Sequence, residues 1–132
     1  MTQHGRRFSL QTVLAFDAAT CAAMGMLLVV AFGRISGLTA IPGLLLVLAG
    51  LLLLPIAVFM AIFARAATVP AWAMQMIVAG NVFWVLGSVI LPITGLVTPN
   101  SLGWLFLLTQ AAVVALFAFL EWAARQPSAI VT

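Results

Sequence analysis

Four stretches of this chain, at about 10–32, 43–64, 70–93 and 103–124, are almost continuously apolar, and their only charged residues are Asp17 and Glu121. A helix that crosses the hydrocarbon of a bilayer needs roughly 20 mostly apolar residues. Each run meets that length. A soluble domain carries about a quarter of its residues charged, whereas here the share is 5% of 132 residues, at a mean hydropathy of +1.32. A surface of that kind aggregates in water and is at home in lipid, where only helices and closed barrels satisfy their own backbone. The expected fold is all-α: one integral membrane domain over 1–132, a four-helix transmembrane bundle running up-down-up-down.

Punctuation separates the runs. GRISGLTAIPG, ARAATVP and TGLVTPNSLG supply the connections, with Pro42, Pro70 and Pro99 near helix starts, where a missing amide hydrogen costs little. Pro55 lies inside the second run and Pro92 near the end of the third, so each is expected to kink or end its helix. ISGL at 35–38 returns as ITGL at 93–96, and FARAATVP at 63–70 is echoed by WAARQP at 122–127. Such an echo is what two tandem helical hairpins of the same orientation would leave.

Orientation follows from the arginines. Four spans put the N-terminus, the 65–69 connection and the C-terminus on one side, which collects Arg6, Arg7, Arg65 and Arg125 against Arg34 alone. Cytoplasmic loops carry the excess of positive charge, so both termini are expected in the cytoplasm. Trp72, Trp104 and Trp122 fall at expected helix ends as interfacial anchors, with Trp84 near mid-membrane. The arginine pair in GRRFSLQ is followed directly by phenylalanine, and Asp17 interrupts the apolar tract that a cleaved signal would need. The first run is therefore expected to remain as a membrane helix. Cys21 is the only cysteine and reads as an inert buried thiol. A net charge of +3 from scattered arginines makes no basic face for nucleic acid.

In lipid, helices associate through close backbone approach. Small residues recur every seven positions as Gly43, Gly50, Ala57 and Ala64, again as Ala73, Gly80 and Gly87, and at spacings of four as Ala15, Ala19 and Ala23. These stripes are the expected packing faces, and their period implies left-handed crossings.

The polar residues within the spans are few enough to weigh singly. Asp17 lies roughly 12 Å along the first helix; a carboxylate at depth costs about 3 kcal/mol and commonly marks function. It is either a proton-titrating or cation-binding group, or a hydrogen-bonded tie to Asn81, Gln75 or an arginine. Glu121 has Arg125 one turn on, a favourable pair that reads as an anchor within reach of headgroups. Asn81, Trp84 and Ser88 in VAGNVFWVLGSV share one helix face. With Thr109 and Gln110 they are either interhelical glue or the wall of a small pocket.

Absences exclude more. His4 is the sole histidine and there is no lysine, so neither a bis-histidine haem nor a retinal Schiff base is available within one chain. No metal-ligand cluster, phosphate loop or Ser-His-Asp set is present in the sequence. No cofactor, metal site, catalytic residue or enzyme activity is expected.

The segments LLPIAVFMAIFARA at 53–66, VAGNVFWVLGSVIL at 78–91 and LGWLFLLTQAAVVALFAFLEWAAR at 102–125 carry a resemblance. Leucine-proline in the second helix, asparagine-x-x-tryptophan then serine in the third, and an acidic residue ending the fourth resemble an uncharacterised group of small four-helix bacterial integral membrane proteins. The likeness covers nearly the full length, departing at Asp17 and Pro92. It implies a multi-pass protein of the bacterial inner membrane and no established activity.

Three functions fit. The first is a non-catalytic accessory subunit or scaffold of a membrane complex, with other membrane subunits or further copies of itself as partners beside the bilayer. The second is a small transporter or binder of apolar compounds with Asp17 as a titrating carboxyl. In size, spans and first-helix carboxyl the chain is similar to the small multidrug resistance transporters, although it has aspartate for glutamate and no tyrosine, and its arginine bias opposes dual topology. The third is an intramembrane lipid or quinone binder using Asn81, Trp84 and Gln110.

Overall fold

The computed structural model describes residues 9–125. The N-terminal Arg6 and Arg7, and His4, lie outside the described residues. All regular structure among them is helical: α1 Leu10–Val30, α2 Phe32–Thr39, α3 Gly43–Ala64, α4 Ala71–Ile93 and α5 Ser101–Ala124. The four long helices are each long and apolar enough to span a membrane. The chain is a multi-pass helical membrane protein.

Local chemistry sets the boundaries. Ser9 caps α1, its hydroxyl oxygen accepting from the Thr12 amide at 3.1 Å. Pro42 and Pro70 occupy the positions just before α3 and α4, as their spacing predicts. The third span thus begins at Ala71, with Pro70 as its cap. α3 continues through Pro55 without ending, while α4 stops one residue after Pro92. Gly95, with φ of +82°, then turns the chain back so that the Val97 amide reaches the Leu91 carbonyl at 3.1 Å.

The connection after the first span differs from a plain loop. The backbone breaks its helical run at Ala31 (φ −109°, ψ 21°), and 32–39 then forms a separate short helix that ends on Ala40 in the left-handed region. The stretch read as GRISGLTAIPG punctuation is therefore largely helical. Its end is tied to the start of α5: Asn100 accepts from the Gly103 amide at 2.8 Å, donates through Nδ2 to the Leu38 carbonyl at 2.9 Å, and donates its own amide to the Thr39 carbonyl at 3.0 Å. At Gly103 a Cβ would collide with the Thr39 carbonyl oxygen, so only glycine fits.

α1 packs chiefly on α3, and α4 on α5. The bundle is two antiparallel hairpins, joined through the lesser contacts of α1 and α2 with α5. Packing of α1 on α3 runs through glycine. A Cβ on Gly50 would lie 2.8 Å from the Gly25 carbonyl oxygen, and one on Gly25 would lie 3.0 Å from that of Gly50. Ala57 is buried on the same face of α3, and Gly43 faces the Phe32 ring.

Two of the expected packing stripes are corrected. On α1 the buried face is Leu14, Ala18, Cys21, Gly25 and Leu28, whereas Ala15, Ala19 and Ala23 point outward. On α4, Ala73 is fully buried, but Gly80 and Gly87 have nothing within 4 Å of where a Cβ would stand. A seven-residue period identifies a smooth stripe without saying whether protein or lipid covers it.

The tryptophans expected at interfaces sit in terminal turns. Trp72 opens α4 with its ring edge-on to Phe63 at 5.7 Å. Trp104 is in the first turn of α5, and Trp122 in the last, beneath the Arg125 guanidinium at 3.3 Å.

Candidate functional site

Three helices bring their polar residues to one buried layer. Asn81 of α4 donates through Nδ2 both to Glu121 Oε1 on α5, at 2.8 Å, and to Asp17 Oδ2 on α1, at 3.2 Å. The two carboxyls thus share one amide donor. On α1 the Cys21 thiol, one turn beyond Asp17, donates to Oδ1 at 3.6 Å. Asp17, Asn81 and Glu121 are all buried, Glu121 completely.

Glu121 is thus not where its own helix suggests. The i, i+4 spacing to Arg125 predicts an ion pair at the interface; instead Glu121 turns inward to Asn81 and Asp17, while Arg125 covers Trp122. Among the described residues no arginine nitrogen comes within 4.0 Å of either carboxylate. Among the described residues, Glu121 Oε2 and Arg125 Nε are buried and find no hydrogen-bond partner.

A second polar layer lies farther along α4. The Trp84 indole N–H donates to Gln110 Oε1 at 2.7 Å, and Gln110 Nε2 donates to Ser88 Oγ at 2.8 Å and to the Leu107 carbonyl at 2.9 Å. Ser88 in turn donates to the Trp84 carbonyl at 2.8 Å. The antiparallel register of α4 and α5 places Asn81 across from Glu121, and Ser88 across from Gln110. So the polar stripe of VAGNVFWVLGSV divides: Asn81 serves the carboxyls, and Trp84 and Ser88 close a ring with Gln110.

Between the hairpins runs a cleft of about 550 Å³. Asp17, Cys21, Trp84 and Gln110 contribute to its wall, and the rest is nearly all apolar, including Leu105, Phe106 and Phe117. Asp17 and Phe117 mark the end on the side of the two termini, and Leu38 and Leu102 mark the other. A concave apolar wall with a few converging polar groups is the usual form of a small-molecule site. Glu121 does not line the cleft but stands behind Asp17.

Compared with protein-family models, curated proteins and solved structures, the chain matches none. The functional reading therefore rests on the geometry of the two polar layers and the cleft.

Of the residues singled out in the sequence, Asp17, Trp84 and Gln110 come together at the cleft and Asn81 joins Asp17 from behind. Gln75 is exposed and takes no part in this layer. Glu121 belongs to the buried polar layer and not to the interfacial anchors among which its spacing to Arg125 puts it. The signal was present: a carboxylate with apolar Ala118 and Phe117 at its preceding turn lies on the buried side of its helix.

Proposed function

We propose that this is a non-catalytic membrane protein that binds one small, largely apolar molecule in the cleft between its hairpins. One observation carries the reading: the cleft is large, apolar and edged by a buried carboxyl, in a chain whose internal packing elsewhere is tight enough to press glycine on glycine. Trp84 supplies a flat wall, held in place by its hydrogen bond to Gln110. In this reading Asp17 contacts the bound molecule, whereas Asn81 and Gln110 position other side chains. In this reading it lies in a bacterial plasma membrane with both termini cytoplasmic, supported by the arginine distribution of the sequence.

The test is native mass spectrometry on protein released from its own membranes into mild detergent. A bound small molecule should accompany the wild type and be missing from Val114→Trp, which fills the cleft, while helical content stays unchanged. A wild type that carries nothing, or a variant that retains the molecule, contradicts the reading.

A second reading, an accessory subunit of a membrane complex, draws on a different observation. Gly80 and Gly87 form a smooth outer face on α4 with none of the described residues within 4 Å of where a Cβ would stand, which suits close approach by a partner helix. A protein co-purifying at fixed stoichiometry, and released by Gly87→Leu, supports that role.

A further inference from the structure

The class of the cleft's occupant, which rests on the cleft reading, follows from the shape of the cleft, its wall and one arginine at its mouth. Along α5 the cleft runs from Leu102 to Phe117, about 22 Å of helix. That is more than half of a hydrocarbon core roughly 30 Å thick. A volume of about 550 Å³ drawn out over such a length makes a slender slot. Leu27 of α1 and Leu105 and Val113 of α5 line it and are also exposed, so it opens sideways between these two helices. In a membrane that opening faces lipid tails.

The wall offers almost no donor to an anionic head group. Thr20 donates to the Phe16 carbonyl at 2.9 Å, and Thr39 to the Ile35 carbonyl at 2.7 Å. Cys21 donates to Asp17, and Trp84 and Gln110 use their N–H groups within their own ring and on the Leu107 carbonyl. Among the described residues of the wall, the exposed Thr109 hydroxyl is the one donor left over. An anion drawn inside would lose its hydration with a single donor to replace it, which is strongly unfavourable. The hydrocarbon part of an occupant therefore lies within the cleft, and an anionic head outside it.

Outside, at the end marked by Leu38 and Leu102, stands Arg34. It is exposed on α2, one turn before Leu38 and one place before Ile35, both of which line the cleft. The sequence has two acidic residues, Asp17 and Glu121, and both are buried in the layer toward the opposite end. No carboxylate side chain of this chain is thus within reach of Arg34. The planar guanidinium suits a phosphate, which accepts two parallel N–H bonds from it.

We propose that the cleft holds one hydrocarbon chain of a phospholipid, inserted sideways from the bilayer, with the lipid phosphate outside the cleft on Arg34. The chain passes Trp84 and ends against Asp17 and Phe117. Arg34 is a binding residue, and it fixes the leaflet from which the lipid comes: the one away from the two termini.

The experiment is native mass spectrometry of the full chain in mild detergent, titrated with dioleoyl phosphatidic acid or with dioleoylglycerol, the same lipid without its phosphate. The wild type should bind phosphatidic acid more tightly by about fivefold or more, the scale of one arginine beside an anionic lipid. Arg34→Gln should erase that preference and leave the affinity for dioleoylglycerol unchanged. Arg34→Lys should keep most of the preference, and Arg65→Gln, at the opposite end of the bundle, should keep all of it. Val114→Trp should weaken the binding of both lipids, because it fills the cleft. Equal binding of the two lipids by the wild type overturns the role of Arg34 and leaves the apolar cleft standing. A preference that survives Arg34→Gln, or falls as far in Arg65→Gln, does the same. Phosphatidic acid held at full affinity by Val114→Trp puts the chain elsewhere and overturns the proposal. Absence of binding by both lipids overturns it as well, while the molecule carried from native membranes still tests the cleft reading by itself.

Discussion

Two of the interfaces in this bundle are built on different physics. Between α1 and α3 the surfaces are smooth, and Gly25 and Gly50 bring backbone against backbone with no polar side chain needed. Between the hairpins the apolar contact is sparse and a cleft intervenes, so α1, α4 and α5 are joined through Asp17, Asn81 and Glu121. In lipid the hydrophobic effect favours neither arrangement, leaving dispersion in the first case and hydrogen bonding in the second. Close packing makes a rigid hairpin. A polar clasp leaves space beside it, and that space is where a ligand fits.

The largest effect is expected from damaging the smooth interface. Gly50→Leu forces a side chain into the Gly25 carbonyl, which is backbone and cannot step aside. Overpacking of this kind costs about 1–3 kcal/mol or more, and the variant should show a sharply lowered thermal midpoint in detergent, or no folded protein at all. A Gly50→Leu protein as stable as wild type would mean that α1 and α3 do not meet there.

Next comes the clasp. Asn81→Ala withdraws the amide donor shared by the two carboxyls, and each buried acceptor left unmade costs about 1–3 kcal/mol. Thermal unfolding should fall clearly, with the α1–α3 hairpin keeping its hydrogen-exchange protection while α4 and α5 lose theirs. Uniform loss of protection across all helices would erase the distinction between the two interfaces.

A smaller effect is expected in the Trp84 ring. Trp84→Phe keeps an aromatic wall but removes the N–H bonded to Gln110, and interhelical bonds of this type contribute about 0.6–2 kcal/mol. Gln110→Leu in the same background should then cost only its bonds to Ser88 and the Leu107 carbonyl, so the double variant loses less than the sum of the two single ones.

The smallest effect belongs to the outer glycines. Gly80→Ala and Gly87→Ala meet open space, so the isolated protein should be unchanged or steadier by up to about 1 kcal/mol through helix propensity. Substantial destabilisation of the purified protein would show that a neighbour covers this face of α4.

Much of the architecture was legible from the sequence because its cause is local. Apolar length defines the four spans, and Pro42 and Pro70 sit at the helix starts where their chemistry puts them. Asp17 stood out because any carboxylate at that depth needs a partner, and Asn81 was among the few polar groups able to supply one. Glu121 was harder to read, since Arg125 one turn on offers a complete explanation within a single helix. Only the register of α4 against α5 shows that Asn81 lies across from it. Ala15, Ala19 and Ala23 failed as a packing face for a related reason: small residues permit close approach, but the helix rotates to bury Leu14, Ala18, Cys21, Gly25 and Leu28 instead. The short α2 was hidden because GRISGLT contains two glycines and a serine, which propensity alone assigns to a turn, while contacts with α3 and α5 hold it helical.

The most direct test of the account is a pair of double-mutant cycles on stability, one between Glu121→Leu and Asn81→Ala, the other between Glu121→Leu and Arg125→Gln. The clasp predicts a coupling of about 0.5 kcal/mol or more between Glu121 and Asn81, and none between Glu121 and Arg125. Coupling to Arg125 with none to Asn81 would return Glu121 to the membrane surface and remove it from the polar clasp between the hairpins.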